Sequence, residues 1–263
     1  MNKKLSTYFK IWTRLTISSF QIALISRLGA MIFIIAKTLR FLLQLLVLWL
    51  IVTKTKSLAG YTLNETFVFF MTFNLIDTMT QLLFRDVYRF RQKIISGDFD
   101  FHLIQPTNSL FRVLLGGADP LDMVMFFPYV GMLIFFLTQI SFTPLSFVVF
   151  CILCINGLFI GAAFHIVVLA LGILTTEIDH AIMIYRDITG MGRFPIDIYH
   201  EPLRSIITFV IPVGMMMSFP VKALLHDLSW KIIAWSTLFG SGFFVASLYL
   251  WKKALRFYTS ASS

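Results

Sequence analysis

The sequence predicts an all-α integral membrane protein with six transmembrane helices and both termini in the cytoplasm. Three observations carry that prediction. Hydrophobic residues fill 58% of the 263 positions and charged residues only 13%, uncharged runs of bilayer length recur, and lysine and arginine gather in alternate loops. Soluble chains hold roughly 25% charged residues, and a water-facing surface needs that charge. An ordinary soluble enzyme is therefore excluded.

The first 26 residues alternate Leu5, Phe9, Trp12, Leu15 and Ile22 with Lys3, Lys4, Lys10 and Arg14. They lack the single apolar core and small-residue cleavage site of a signal peptide. The pattern fits an amphipathic helix lying on the cytoplasmic leaflet, with Trp12 at headgroup level. The first span follows over 28–52 with Lys37 and Arg40 inside it, and the second over 62–84, interrupted only by Glu65 and Asp77. The run from Met123 to Thr176 has no charge at all. It would be about 80 Å long as a helix at ~1.5 Å per residue, so it crosses a core of about 30 Å twice. The turn falls at Ser141 to Pro144 and gives spans over 121–141 and 145–174. The fifth segment, 203–221, carries Pro212 and Pro220 and reads as a kinked or partly re-entrant span, whose broken backbone needs protein or water around it. The last span, 232–251, is flanked by Lys231 and Lys252.

With both termini inside, eighteen of the 22 lysines and arginines fall on one side, those of 177–204 included, leaving Lys54, Lys56, Lys222 and Lys231 for the other. That is the positive-inside pattern. The net charge of +9 is then a topology signal and requires no nucleic acid.

Signs of catalysis are few. No glycine is followed by lysine, so there is no GxxxxGK[ST] phosphate loop and the chain does not hydrolyse ATP by itself. His102, His165, His180, His200 and His226 never fall at HxxxH spacing, against a helical metal site. Cys151 and Cys154 sit inside the uncharged run, where small apolar packing explains them. Gly157 and Gly161 form a GxxxG on the same helix, a signature of close helix contact.

Polar residues inside the spans are more informative. Lys37, Arg40 and Gln44 share one face of the first helix, and Asn74, Asp77 and Gln81 one face of the second. An Arg40–Asp77 pair would avoid the cost of an unpaired charge, at least ~2.5 kcal/mol; snorkelling of Lys37 and Arg40 to lipid phosphates is the alternative. Met215, Met216 and Met217 read either as flexible lining for varied cargo or as core filling. Gln44, Asn74, Asp77, Gln81 and the three methionines are the candidate substrate path.

The loop over 85–110 is too polar for the bilayer. Arg85, Arg89, Arg91 and Lys93 begin it as a basic amphipathic helix, Gly97 breaks it, and Asp98 and Asp100 follow. A short cytoplasmic helix between the second and third spans suits a transporter that receives force from a separate motor. A basic helix resting on anionic lipid would explain the arginines but not the glycine and acidic turn.

Gly97-Asp98-Phe99-Asp100-Phe101-His102-Leu103-Ile104-Gln105-Pro106-Thr107-Asn108 resembles the G-x-L-D-x-x-L-L-R-P-x-N segment of ABC-2 type permeases, specifically the six-helix ABC-2 family transporter proteins. Gly60-Tyr61-Thr62-Leu63 with Glu65 resembles that family's lead into the second span. Pro195, Ile198-Tyr199, Leu203-Arg204 and Ile211-Pro212 resemble its approach to the fifth, and Trp251 with Leu255 to Ala261 its tail. Gln105, Tyr61 and His200 depart from the family's Arg, Trp and Pro. The resemblance implies a non-catalytic exporter subunit in the plasma membrane. It would work with a second permease copy or related chain and with separately encoded ABC ATP-binding subunits that hold ATP and Mg. No cofactor or metal would be bound by this chain. It also implies that 85–110 is the coupling segment, with Leu103 and Pro106 joining Arg85, Arg89, Arg91, Lys93, Gly97, Asp98 and Asp100 in the ATPase contact. Residues 1–26 would be a connecting helix, and Gly214 to Ser229 an external cap or re-entrant piece. An ion-coupled secondary transporter, or a membrane transferase using Glu177, Asp179, His180 and Asp187, are the competing classes; no internal repeat supports the first.

Overall fold

The computed structural model describes residues 2–175 and 178–259, and these form helices with no strand. Five helices are long and apolar enough to cross a membrane, and one sharply bent pair brings the number to six if it counts as a span. Helix α1 (Asn2–Ile25) leads through Ser26 into α2 (Arg27–Thr55). It is docked on the segment after the polar loop: Tyr8 Oη accepts from the Asn108 N–H at 3.1 Å, and Thr16 Oγ1 from Ala118 N–H at 3.1 Å. Its Trp12 indole N–H is buried and finds no partner among the described residues.

Only Phe41, Leu48 and Val52 of α2 are buried; the rest of its apolar surface faces outward. After a tight turn in which Leu58 and Tyr61 exchange backbone hydrogen bonds, α3 (Leu63–Phe84) begins at a capping box. Thr62 N–H donates to Glu65 Oε2 at 2.7 Å and Glu65 N–H to Thr62 Oγ1 at 3.4 Å, which explains an acid at the head of an apolar span. The chain continues through a 3₁₀ turn (Arg85–Arg89) into α4 (Phe90–Ile95), reverses at Gly97 with φ 77°, and forms α5 (Asp98–Ile104) and α6 (Ser109–Leu114). Helices α7 (Pro120–Leu137) and α8 (Pro144–Thr175) form the expected hairpin.

Helix α8 is the hub, packing on α3 and on α12 (Trp230–Leu255). Asn156, buried on α8, donates to Ser236 C=O of α12 at 3.0 Å. The GxxxG glycines do admit a close approach. A Cβ at Gly157 would lie 2.6 Å from the Met216 carbonyl oxygen, and one at Gly161 2.6 Å from Thr80 Cγ2.

The fifth segment, expected as a kinked or partly re-entrant span, is sharply bent in the structure. Leu203–Val210 (α10) and Gly214–Leu224 (α11) meet at 78°, each arm containing a π-helical turn, because Pro212 cannot continue the helix. Both open ends lie together. Asp197 pairs with Arg204 at the start of the first arm and accepts Lys222 Nζ of the second at 2.8 and 2.9 Å, while Tyr61 Oη donates to it at 3.2 Å. The pair is thus a hairpin whose mouth sits at the α2–α3 turn and whose deeper residue Met216 meets the middle of α8. Helix α9 (Ile178–Gly190), with the 3₁₀ turns Met191–Arg193 and Ile196–Ile198, runs the length of α3 instead. Asp179 at its start touches Arg91, beyond one end of α3, and Asp197 meets Tyr61, before the other. Arg204 therefore lies at the same end of the bundle as Lys222, and Arg91 at the other.

Candidate functional site

A cavity of about 320 Å³ lies among α2, α3, α7 and α9. The two polar stripes legible in the sequence converge on it: Arg40 and Gln44 from α2, Asn74, Asp77 and Gln81 from α3. Helical spacing of three and four turns each set to one face, and the α2–α3 turn sets the two faces side by side. Asn74 Nδ2 donates to the Phe70 carbonyl at 2.7 Å, which the helix itself supplies. Gln81 Nε2 donates to Asp77 Oδ2 at 2.7 Å.

The Arg40–Asp77 pair does not form. Among the described residues the Asp77 carboxylate is served by Gln81, and the ion pair of α2 is made by Lys37 with Asp122 of α7. Asp122 is 1% exposed and also lies 3.9 Å from Arg85, which reaches Asp119 at 3.6 Å. Asp119 caps α7, accepting from the Leu121 and Asp122 N–H groups at 2.9 and 3.1 Å, so the head of that helix presents two carboxylates to the cations of α2 and α3. Sequence patterns alone did not point to this set, although Asp119-Pro120 is a recognisable helix start. Met215, Met216 and Met217 are not on the cavity wall. They are at most 1% exposed and fill the packing between α11 and α8, the core alternative.

Two further cations of the wall come from α9 and the 3₁₀ turn that follows it. Arg186 is exposed, and Arg193 lies over the Phe73 ring at 5.7 Å. Tyr88, Tyr129 and Tyr185 complete the polar side.

At the foot of α3 the polar loop forms a second site. Phe90 and Phe99, both fully buried, stack edge-to-face at 5.0 Å and pack with Trp251. This core holds the loop rigidly on the ends of α8 and α12. Residues expected at an ATPase contact divide in two. Arg89, Arg91, Asp98, Leu103 and Pro106 are exposed around the Gly97 bend. Arg85 faces Asp119 and Asp122, Lys93 pairs with Asp86, and Asp100 accepts from Tyr258 Oη at 2.8 Å. Burial first and then the Asp100 carboxylate push the Tyr258 phenol up to about 12. Partial burial, then Lys93 and Arg112, hold the His102 imidazole below its ordinary value. Unforeseen are the apolar tips Ile95, Phe101 and Ile104, 61–79% exposed.

Of the residues considered for a transferase, Asp179 is engaged by Arg91 at 3.0 Å, Asp187 is exposed on α9, and Glu177 does not fall within the described residues. Nor do the described residues contain a cluster of metal-ligating side chains.

Helices long and apolar enough to cross a bilayer, packed around a polar, cation-rich cavity, define a multi-pass membrane protein. Residues 38–262 match the family described as ABC-2 family transporter protein, and the chain belongs to that family. No curated relative matches it.

Proposed function

We propose that this chain is the permease subunit of an ABC exporter, a single transmembrane domain over 1–263 that exports a lipophilic or amphiphilic substrate from the plasma membrane. Six crossings are made by α2, α3, α7, α8, the α9–Ile198 segment and α12, with both termini cytoplasmic and α10–α11 dipping in from the outer face. A second permease, identical or related, covers the outward apolar face of α2, which a single chain leaves to lipid. ATP and Mg stay with the partner ATPase. The observation that carries this reading is the continuity of α3 through the 3₁₀ turn into α4. One nearly unbroken rod joins the cavity residues Asn74, Asp77 and Gln81 to the loop tip, so force applied at Ile95, Phe101 and Ile104 reaches the cavity wall.

Affinity purification of the tagged chain in mild detergent, with mass spectrometry of what accompanies it, tests the proposal. An ABC ATP-binding subunit should be recovered, and Phe101→Glu with Ile104→Glu should abolish its recovery from protein that still inserts. A chain that never brings down an ATPase, with transport that follows a proton gradient and ignores vanadate, would replace this reading with a secondary transporter.

A further inference from the structure

Five cations, Lys37, Arg40, Arg85, Arg186 and Arg193, line the cavity with one carboxylate, Asp77. Two of the five are committed: Lys37 to Asp122, and Arg85 to Asp119 and Asp122. Arg40, Arg186 and Arg193 have no carboxylate within 4.0 Å among the described residues, and Asp77 is occupied by Gln81. The same walls carry Phe33, Phe41 and Phe73. Cations at this depth are costly and call for a counter-charge, and the guanidinium fork suits the oxygens of phosphate or carboxylate in paired hydrogen bonds.

We propose that the α2–α9 cavity binds the acidic headgroup of an amphiphile, a phosphate or carboxylate held by Arg40, Arg186 and Arg193 with its apolar tail against the phenylalanines. This deepens the transport reading by naming the substrate class, and it rests on the cavity being the substrate path. Two sources supply that chemistry, an anionic membrane lipid and a free acidic amphiphile.

The test is native mass spectrometry of the full chain in a nonionic detergent, with dodecyl phosphate as the probe. Dodecyl phosphate should bind, and dodecyltrimethylammonium should neither bind as tightly nor displace it. The triple variant R40Q/R186Q/R193Q should lose about tenfold or more in affinity, as expected for charge-assisted paired hydrogen bonds, while R40K/R186K/R193K, which keeps the charges without the fork, should fall between that variant and wild type. Asn74→Glu, which leaves every arginine in place and adds a carboxylate to the wall, should also weaken binding, so a misfolded triple variant does not decide the matter. Displacement by phosphatidylglycerol, with that lipid co-purifying on wild type and not on the glutamine variant, identifies a membrane lipid. Retention of dodecyl phosphate against phosphatidylglycerol identifies a free amphiphile. Equal affinity for the cationic probe, or unchanged affinity in both the glutamine and Asn74→Glu variants, would overturn the proposal. The readout needs no ATPase, so failure to recover that partner would sink the exporter reading and leave the anion site standing.

Discussion

Two of the charge groups in this bundle are built on opposite principles. At the α2–α3 turn, Asp197 is surrounded by Lys222, Arg204 and Tyr61, and Lys222 is 8% exposed. That group is closed, its carboxylate shared between two cations, and it ties the α10–α11 hairpin to the chain end of α9. In the α2–α9 cavity three arginines stand against a carboxylate already taken by glutamine. A closed group placed where the helices meet holds the fold. An unmatched group around open space is a place for something to bind.

The largest effect is expected where the closed group is broken. Asp197→Ala leaves Lys222 buried without a carboxylate, a loss of about 3–5 kcal/mol for a broken buried pair. Thermal unfolding in detergent should show it, and adding Lys222→Met should restore part of the loss. No loss in the single variant would mean that the two charge groups are alike after all. Gly157→Ala comes next. Its Cβ would meet the Met216 carbonyl at 2.6 Å, and backbone has little room to yield, so about 1–3 kcal/mol should be lost and the hairpin displaced, as hydrogen exchange across 206–224 would report.

A smaller effect separates both groups from the loop tip. His102 titrates below its ordinary value of about 6.5 because of partial burial and of Lys93 and Arg112. Above that value both folded and opened tips are neutral there. As the pH falls below it the opened tip takes up the proton first, so local stability drops until the lowered folded value is passed. Hydrogen exchange over 98–105, corrected for its intrinsic pH dependence, should show weaker protection at pH 5.5 than at 7.5, and His102→Gln should remove the difference. The smallest change in stability is expected at Arg186, which is exposed. Arg186→Gln should stay within about 0.5 kcal/mol of wild type while lowering affinity for an anionic probe. A large loss of stability there would make the cavity arginines structural and erase the contrast.

Much of this arrangement is legible in the amino-acid sequence. Uncharged runs mark α8, α12 and most of α7, long apolar stretches with few charges mark α2 and α3, Ser141 to Pro144 marks the hairpin turn, and Pro212 marks the bend. Spacing alone puts Asn74, Asp77 and Gln81 on one face. Helix α9 is the instructive failure. It carries Asp179, Arg186 and Asp187, and Arg193 follows it, so it reads as a loop between spans. A helix that lines a polar cavity cannot be apolar all round, and hydropathy penalises it for the residues that suit it to that wall. The segment that hydropathy favours, 203–221, owes much of its apolar character to a second arm packed into the protein interior.

The partners of charged groups were beyond sequence for a different reason. Arg40 and Asp77 lie on facing stripes of adjacent helices, and nothing local argues against their pairing. Asp122, 85 positions from Lys37 along the chain, takes the lysine only because α7 packs its capped end against α2 and α3. The sequence by itself determined the membrane class, most of the helices, their breaks and the faces they present, since these follow from composition, period and backbone chemistry within a few residues. Only the tertiary structure decided which charges meet, that the proline-broken pair returns on itself, and that three arginines are left facing a cavity. Those depend on distances between segments that no local pattern encodes.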